Sequence, residues 1–272
     1  MASISLRFAS FLLSIAILAA EDRLGSVEFY GAAPHAVPDA LRASLPLHPG
    51  MTLPSDDPSR ERLLHQIEQV IKTHTGKPPT DVSPVCCDSN GDWIVYIGIR
   101  GPRVLEPSPR PSRTARKTAS PVLPQALLNT YRAMLEENVS AVRAGAAEDQ
   151  SQGYSLSGYE PLRNLQISFR KRILAANSAP IFNVLKRSAD SEQRVAAAKA
   201  LGYLDASVSQ IQALVSAASD ENSTVRNNAL RALWALATVR APLVLRDAPT
   251  AQMARLLRSG AWSDRNKPCY SA

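Results

Sequence analysis

The residues best suited to metal binding or acid–base chemistry gather in the first part of the chain. The four histidines are His35, His48, His65 and His74. Their spacing to the carboxylates matches no metal-ligand pattern. His65 follows Leu64 on an amphipathic segment, and His74 lies near the end of that segment, where a positive charge suits the helix dipole. We therefore expect surface or hydrogen-bonded histidines and no metal site.

Nucleophiles and paired carboxylates give no catalytic pattern either. The sequence contains no G-x-S-x-G, no H-E-x-x-H and no glycine-rich phosphate loop. Two pairs of acidic residues, Glu136 with Glu137 and Asp220 with Glu221, are adjacent in sequence. Adjacent residues on a helix do not face each other, so neither pair projects as a catalytic pair would. The sequence thus predicts a protein that is not an enzyme, with no catalytic residue and no cofactor.

Three cysteines, Cys86, Cys87 and Cys269, lack the C-x-x-C spacing of a zinc or redox site. In a strand, Cys86 and Cys87 would point to opposite faces of the sheet. A bond between these neighbours would require an unusual peptide geometry. We expect one of them to pack in the core and the other to be exposed or paired elsewhere.

The first twenty residues have the pattern of a secretory signal. A single basic residue, Arg7, precedes an apolar run from Phe8 to Ala20, and acidic residues follow at once. The run is too short for a comfortable transmembrane span, although an uncleaved membrane anchor is the alternative. We predict a signal peptide over residues 1–20 and export to the periplasm or the extracellular space. We expect no integral membrane span after its removal.

Much of the formal net charge of +7 lies in one stretch. Residues 100–117 contain six basic side chains and one acidic side chain, Glu106, among prolines and serines. Such a composition is typical of an extended linker, which we place at residues 102–122. Its arginines could be simple spacers or could contact anionic envelope components. Residues 123–272 show no basic stripe, so we expect no nucleic-acid partner.

Residues 21–101 predict a small α+β domain. The alternating text SVEFYG indicates a strand that stops at Gly31, and VPDALRASL and PSRERLLHQIEQVIKTHTG have helical periodicity. Two further apolar runs, 81–87 and 93–99, are joined through Asn90-Gly91, a strong hairpin signal. The predicted order is strand, helix, helix, strand, strand.

This order resembles that of the POTRA domain. The resemblance includes Val27, Phe29, Gly31 and the phrase LRASLPLHPGMTL. POTRA domains add a strand from a partner to the edge of their sheet, so the resemblance implies an exposed sheet edge that binds a partner. The alternative is a plain α+β domain that supports its neighbour.

The rest of the chain is predicted to be helical and to contain a repeat. A shift of 32 residues places RVAAAKALGYL, residues 194–204, on RNNALRALWAL, residues 226–236. Short helix pairs at such a period are typical of an α-solenoid, because one repeat cannot bury its own apolar face. Asp190 and Gln193 predict a capping box at the start of the first copy. An earlier helix is predicted to bury one face: Leu127, Tyr131, Met134, Leu135 and Val142.

The phrases DSEQRVAAAKALGYL and DENSTVRNNALRALWAL resemble the HEAT family, especially the subset similar to phycobilisome-lyase HEAT-like repeats. In that family an aspartate in the turn and an arginine early in the second helix brace successive repeats. The resemblance implies this structural role for four residues: Asp190, Arg194, Asp220 and Arg226. A further unit places Asp264 and Arg265 near the same positions and stops before a second helix. Trp93 and Trp234 are expected to pack, whereas Trp262, with Tyr270, is expected to be an exposed contact.

The predicted fold is therefore an α+β N-terminal domain, residues 21–101, followed by an all-α HEAT-like α-solenoid, residues 123–272, whose last repeat is incomplete. The whole chain resembles exported bacterial HEAT-repeat proteins to which no reaction is assigned. We expect an exported, non-enzymatic protein–protein interaction or scaffold protein of the bacterial envelope. The alternative is a HEAT-type chromophore lyase or lyase subunit. Export and the lack of a cysteine on the repeats argue against that alternative.

Overall fold

The computed structural model describes residues 22–31, 37–101, 104, 120–247 and 254–265. Within these ranges, a small N-terminal sheet with two helices precedes a mostly helical region. The predicted signal peptide, most of the predicted linker, His35, Cys269 and Tyr270 lie outside the described residues, and the expectations about them stay predictions.

The N-terminal region has the predicted order of elements. Its elements are β1 (Leu24–Tyr30), α1 (Asp39–Ser44), α2 (Asp57–Thr75), β2 (Asp81–Val85) and β3 (Trp93–Gly98). The strand order in the sheet is β1–β3–β2, with β1 parallel and β2 antiparallel to the central β3. Pro84 is compatible with β2 because that strand lies at the edge of the sheet.

Helix α2 begins and ends at residues suited to those positions. The Asp56 side chain accepts a hydrogen bond from the backbone N–H of Ser59 at 2.8 Å. Gly76 ends the helix with a φ of 74°, a left-handed conformation that glycine adopts without a steric penalty. The helix covers one face of the sheet, and the fully buried apolar residues between them include Leu24, Leu41, Ile67, Ile71 and Ile97.

The turn between β2 and β3 contains the adjacent cysteines. The carboxylate of Asp88 accepts hydrogen bonds from the backbone N–H groups of Asn90 and Asp92 at 2.8 and 3.0 Å. Cys86 and Cys87 form a disulfide with each other and are joined by a cis peptide bond. The expectation that one of them packs in the core and the other is paired elsewhere is wrong, since Cys86 is only partly buried and the two are bonded to each other. Strand β2 ends at Val85, so the alternation of side chains in a strand does not extend to them.

Seven helices of the helical region have both ends among the described residues. They are α3 (Gln125–Arg143), α4 (Glu160–Ala175), α5 (Ala179–Arg187), α6 (Ser191–Leu201), α7 (Val208–Ala217), α8 (Ser223–Asp247) and α9 (Trp262–Arg265). A short hairpin, β4 (Glu148–Asp149) and β5 (Leu156–Ser157), lies between α3 and α4. Helix α8 is kinked at Arg240, whose φ and ψ are −139° and 39°, two residues before Pro242.

Small residues allow α6 and α8 to pack closely. Ala196, Ala197 and Ala229 are fully buried in the same apolar core. A Cβ atom on Gly202 would lie 2.8 Å from the Cβ of Ala232, closer than such atoms approach in proteins. The repeated alanines of the sequence therefore lie where the two echoed helices meet.

Helix α3 buries a narrower face than its sequence predicts. Leu127, Leu128, Tyr131, Met134 and Ala141 are buried. The expectation is wrong for Leu135 and Val142, which are 51% and 40% exposed. Together with Val139, 44% exposed, they form a second apolar stripe at i, i+4 and i+7. A helix packed through one stripe leaves such a second stripe outside the core.

The last described segment returns to the N-terminal sheet. The rings of Trp262 and Tyr96 stack with centroids 3.6 Å apart and planes 9° apart. The backbone N–H of Trp262 donates to a carboxylate oxygen of Asp81 at 2.8 Å. The expectation that Trp262 is an exposed contact is therefore wrong: it joins the helical region to the sheet.

Tyr30 strengthens the same junction. Its hydroxyl donates to the backbone carbonyl of Gly260 at 2.8 Å, and the Thr80 hydroxyl donates to that carbonyl at 2.9 Å. Burial and the neighbouring Asp81 carboxylate raise the pKa of Tyr30 well above its ordinary value. The phenol keeps its proton and remains a donor.

Among the residues that the structure describes, no helix is both long and apolar enough to cross a bilayer.

Candidate functional site

Arg194, one of the residues implied to brace the repeats, lies in a completely buried ion pair. Its Nε and Nη2 atoms donate to the two carboxylate oxygens of Asp220 at 3.1 and 3.0 Å. Its Nη1 atom donates to the backbone carbonyls of Ser188 and Ala189, both at 3.1 Å. Both side chains are only 1% exposed. Arg194 thus connects the turn before its own helix to the turn before α8.

Arg226 repeats this arrangement one unit further along. Its Nε and Nη2 atoms donate to Asp264 at distances of 2.7 to 3.0 Å. Its Nη1 atom donates to the carbonyls of Asp220 and Glu221 at 2.7 and 2.9 Å. The hydroxyl of Ser259 also donates to Asp264 at 2.6 Å. Asp264 is therefore the buried partner of Arg226, as Asp220 is the partner of Arg194.

Asp190 lies in a different environment from Asp220. It is exposed, and its carboxylate caps α6 by accepting the backbone N–H of Glu192 at 2.8 Å. Under the 32-residue shift it corresponds to Asn222, which caps α8 in the same way. Asp220 corresponds to the buried Ser188. Asp190 and Asp220 thus occupy non-equivalent positions of the repeat.

The predicted capping box of α6 is wrong. The side-chain oxygen of Gln193 accepts the backbone N–H of Leu123 at 2.8 Å instead of bonding to Asp190. Gln193 is buried, so it holds the residues before α3 against α6. A capping box is present at α7, formed by Ser207 and Gln210.

A second cluster of charged residues lies where the β4–β5 hairpin crosses α6 and α8. Arg231 of α8 forms an ion pair with Glu148 of β4. Burial would raise the pKa of Glu148, but the charges of Arg231 and Lys199 outweigh this effect and lower it. Burial lowers the pKa of Lys199 to about 8, helped by repulsion from Arg231 and opposed by Glu148. The cluster therefore has two cationic groups around one carboxylate.

The hairpin is anchored beside this cluster. The Tyr203 hydroxyl donates to the carbonyl of Ser155 at 2.9 Å, and the Thr238 hydroxyl donates to that of Gln150 at 3.0 Å. The cavity beside the cluster has a volume of about 20 Å³. Such a cavity holds a single water molecule, whereas small-molecule sites measure roughly 300 Å³ or more. The cavity beside the cluster is therefore too small for a metabolite.

Trp234 lies on α8 one turn beyond Arg231. It was expected to pack, yet it is 36% exposed. Exposed tryptophan beside arginine is the combination enriched at the centres of protein interfaces. We call Arg231, Trp234 and Lys199 the α6–α8 surface. Trp93, in contrast, is half-buried and donates its indole N–H to Asp22 at 3.1 Å.

The histidines considered for metal binding or acid–base chemistry lie outside these two charged clusters. His48, His65 and His74 are all exposed. In the part of the chain that the structure describes, no group of three or more histidine, cysteine, aspartate or glutamate residues could hold a metal ion.

Comparison with known proteins identifies the repeats. Residues 178–263 match the family model of HEAT repeats. The matched segment runs from α5 into α9, contains Arg194, Asp220 and Arg226, and ends one residue before Asp264. The chain thus contains a HEAT-repeat segment. No curated protein and no solved structure matches the chain.

Proposed function

We propose that the chain is an exported, non-enzymatic protein–protein interaction or scaffold protein of the bacterial envelope. Its partners would bind an α-solenoid of HEAT repeats. HEAT repeats commonly mediate protein–protein interactions, and the HEAT match supports this role. Stacked helical repeats present an extended surface to their partners.

The observation that carries the proposal is the repeated buried clamp. Arg194 binds Asp220, and Arg226 binds Asp264, with the same guanidinium atoms toward the carboxylate and the same Nη1 toward two carbonyls. Two equal clamps hold consecutive units in one register. The α6–α8 surface is therefore presented on a rigid support, which reduces the entropy lost when a partner binds.

The sheet edge is the second binding site in this proposal. The start of β1 is already paired, since Leu24 and Met51 share a backbone hydrogen bond of 2.8 Å. The start of β2 is covered by Gly260 and Trp262, which are hydrogen-bonded to Thr80 and Asp81. Pro84 has no backbone N–H group to donate to a partner strand. A partner strand would therefore add along residues 26–30 of β1. The POTRA-like order of elements supports this mode.

Export is the part of the proposal supported by the N-terminal pattern. Fractionation of the source cell, followed by N-terminal sequencing, tests it directly. A mature chain that begins near Glu21 in the envelope or the medium is the expected result. Recovery of the whole chain in the cytoplasm would contradict export and would favour the lyase alternative.

Crosslinked affinity capture tests the interaction. The bait is the full chain, compared with a variant that combines Arg231→Glu with Trp234→Ala on the α6–α8 surface. Arg187→Glu is the matched control, because Arg187 is an exposed arginine at the end of α5. We expect a specific protein that is lost with the surface variant and retained with the control. A chain that captures no protein and turns over a small molecule would contradict the scaffold function.

A further inference from the structure

A cleft of about 340 Å³ lies between the N-terminal region and the C-terminal half of α3. Helix α2 lines it with Leu63 and Leu64, and β3 contributes Trp93. Val139 and Arg143 of α3 form the opposite side. Its volume lies within the range of binding sites, roughly 300–1,000 Å³.

The apolar surface of the cleft continues along α3. Val139, which lines the cleft, is 44% exposed and is the middle member of the apolar stripe that includes Leu135 and Val142. On the opposite side, Leu63 and Leu64 are only partly buried. Contiguous apolar surface that stays in contact with water favours an occupant that covers it.

The charged groups of the cleft have partners within the protein. The Asp22 carboxylate accepts hydrogen bonds from Nη2 of Arg143 at 2.9 and 3.0 Å and from the indole N–H of Trp93 at 3.1 Å. Arg60, the third charged residue of the lining, donates from Nη2 to the carbonyl of Ser55 at 2.9 Å. A charged occupant would compete with these contacts, whereas a neutral apolar occupant leaves them intact.

The N-terminal segment of the chain leads into this cleft. The backbone of Asp22 is fixed there, because its carbonyl accepts the N–H of Leu53 at 2.7 Å. Only Glu21 separates Asp22 from Ala20, the last residue of the apolar run that starts at Phe8. That run lies outside the described residues and contains no charged residue. An uncharged apolar segment thus joins the chain at the cleft, where it matches the lining.

The run is long enough to cover both the cleft and the stripe. Residues 8–20 would span about 20 Å as a helix and roughly 43 Å as an extended chain. The stripe from Leu135 to Val142 covers about 10 Å of α3. A segment tethered through one residue has an effective concentration of roughly millimolar, which favours it over a free ligand or a second copy of the chain.

We propose that residues 8–20 occupy this cleft in the chain that still carries them. Their apolar side chains lie against Leu63, Leu64 and Val139 and extend toward Leu135. The segment covers this surface until it is removed, so its removal during export would uncover an apolar binding site. The docking itself does not depend on the proposed export or on the proposed scaffold function.

Hydrogen exchange measured by mass spectrometry tests the proposal. The monomeric full chain, residues 1–272, is compared with a chain of residues 21–272. We expect the amides of residues 60–64 and 139–143 to exchange at least about tenfold more slowly in the full chain, because the docked segment opposes local opening. Binding of an apolar fluorescent dye should be several-fold weaker in the full chain.

Variants on both sides of the contact separate docking from a general change in stability. Val139→Asp and Leu13→Asp should each remove the slower exchange of residues 60–64 in the full chain. Val139→Asp should change the exchange of these residues little in the chain of residues 21–272. Leu174→Asp is the matched control, because Leu174 is 45% exposed on α4 and does not line the cleft. It should leave the slower exchange intact.

A peptide of residues 5–21 gives a second readout that does not require the full chain to fold. Added to the chain of residues 21–272, it should bind saturably and slow the exchange of residues 60–64. Val139→Asp should weaken this binding at least about tenfold, because a buried charge then lies against apolar side chains.

Three results would overturn the proposal. One is equal exchange in the two chains together with no saturable binding of the peptide. A second is slower exchange that increases with protein concentration, which would assign the cleft to a second copy of the chain. The third is an apolar molecule that co-purifies with residues 21–272 and slows the exchange to the rate of the full chain, which would assign the cleft to an external ligand.

Discussion

Arg226 and Asp264 form an ion pair that is almost completely removed from solvent, although 38 residues separate them. The side chains are 4% and 0% exposed, and the shortest N–O distance is 2.7 Å. Trp262 lies two residues before Asp264 and stacks on Tyr96 of the sheet. One short segment thus both completes the second clamp and reaches the N-terminal region.

The first prediction concerns Asp264. Asp264→Asn leaves the charge of Arg226 buried without a counter-charge, and such a change typically costs about 3–5 kcal/mol in the free energy of unfolding. Urea denaturation measures it. The control is Asp205→Asn, which also removes an arginine partner, but Asp205 is 79% exposed and should cost below about 1 kcal/mol. Equal losses in the two variants would show that the buried clamp contributes no more than a surface pair.

The second prediction separates the two aspartates of the repeat. Asp190→Ala removes only a helix cap and should cost about 1 kcal/mol. Asp220→Ala removes the buried partner of Arg194 and leaves it only the half-exposed carboxylate of Glu221 at 3.0 Å, so it should cost about 3 kcal/mol. The comparison is made by denaturation of both variants in the same buffer. A cost for Asp190 as large as that for Asp220 would mean that Asp190 also braces the repeats.

The third prediction is a pH dependence from Lys199. Burial lowers its pKa from 10.5 to about 8 in the folded chain, so folding releases its proton between these values. The unfolded state then binds more protons, and the contribution of Lys199 to the free energy of unfolding increases as the pH rises through this window. Lys199→Met should remove this increase.

Measurement of unfolding free energies at several pH values within that window checks the sign. Lys186→Met is the control, because Lys186 is an exposed lysine on α5. It should keep the pH dependence of the native chain. A Lys199→Met curve parallel to that of the native chain would contradict the prediction.

The fourth prediction concerns Trp262. Trp262→Ala removes the stack on Tyr96 and should destabilise the chain by about 2 kcal/mol. It should also increase proteolytic cleavage near residue 260. Trp234→Ala, the comparison variant, removes an exposed indole and should cost about 0.5 kcal/mol. If limited proteolysis gives the same pattern for both variants, Trp262 does not hold the C-terminal segment on the sheet.

Much of the fold follows from local patterns. The order strand, helix, helix, strand, strand was predictable because alternation, helical periodicity and turn residues act within a few positions. The same applies to the register of the repeat, in which Arg194 and Arg226 occupy equivalent sites. The face of α3 was predicted less well. Leu135 and Val142 fit the helical period, but which stripe is buried depends on the neighbouring helices.

By itself, the sequence determined the main helices and strands and their order, because these depend on residue type and short spacing, and its resemblance to HEAT repeats implied the role of the two arginines. Only the tertiary structure decided which carboxylates they meet, that Gln193 binds Leu123, and that Trp262 stacks on Tyr96. The cleft lined by Leu63 of α2 and Val139 of α3 also depends on tertiary structure, because its two sides lie far apart in the chain. Such contacts join residues far apart in the chain, and their partners are selected by packing of the whole molecule rather than by any local pattern.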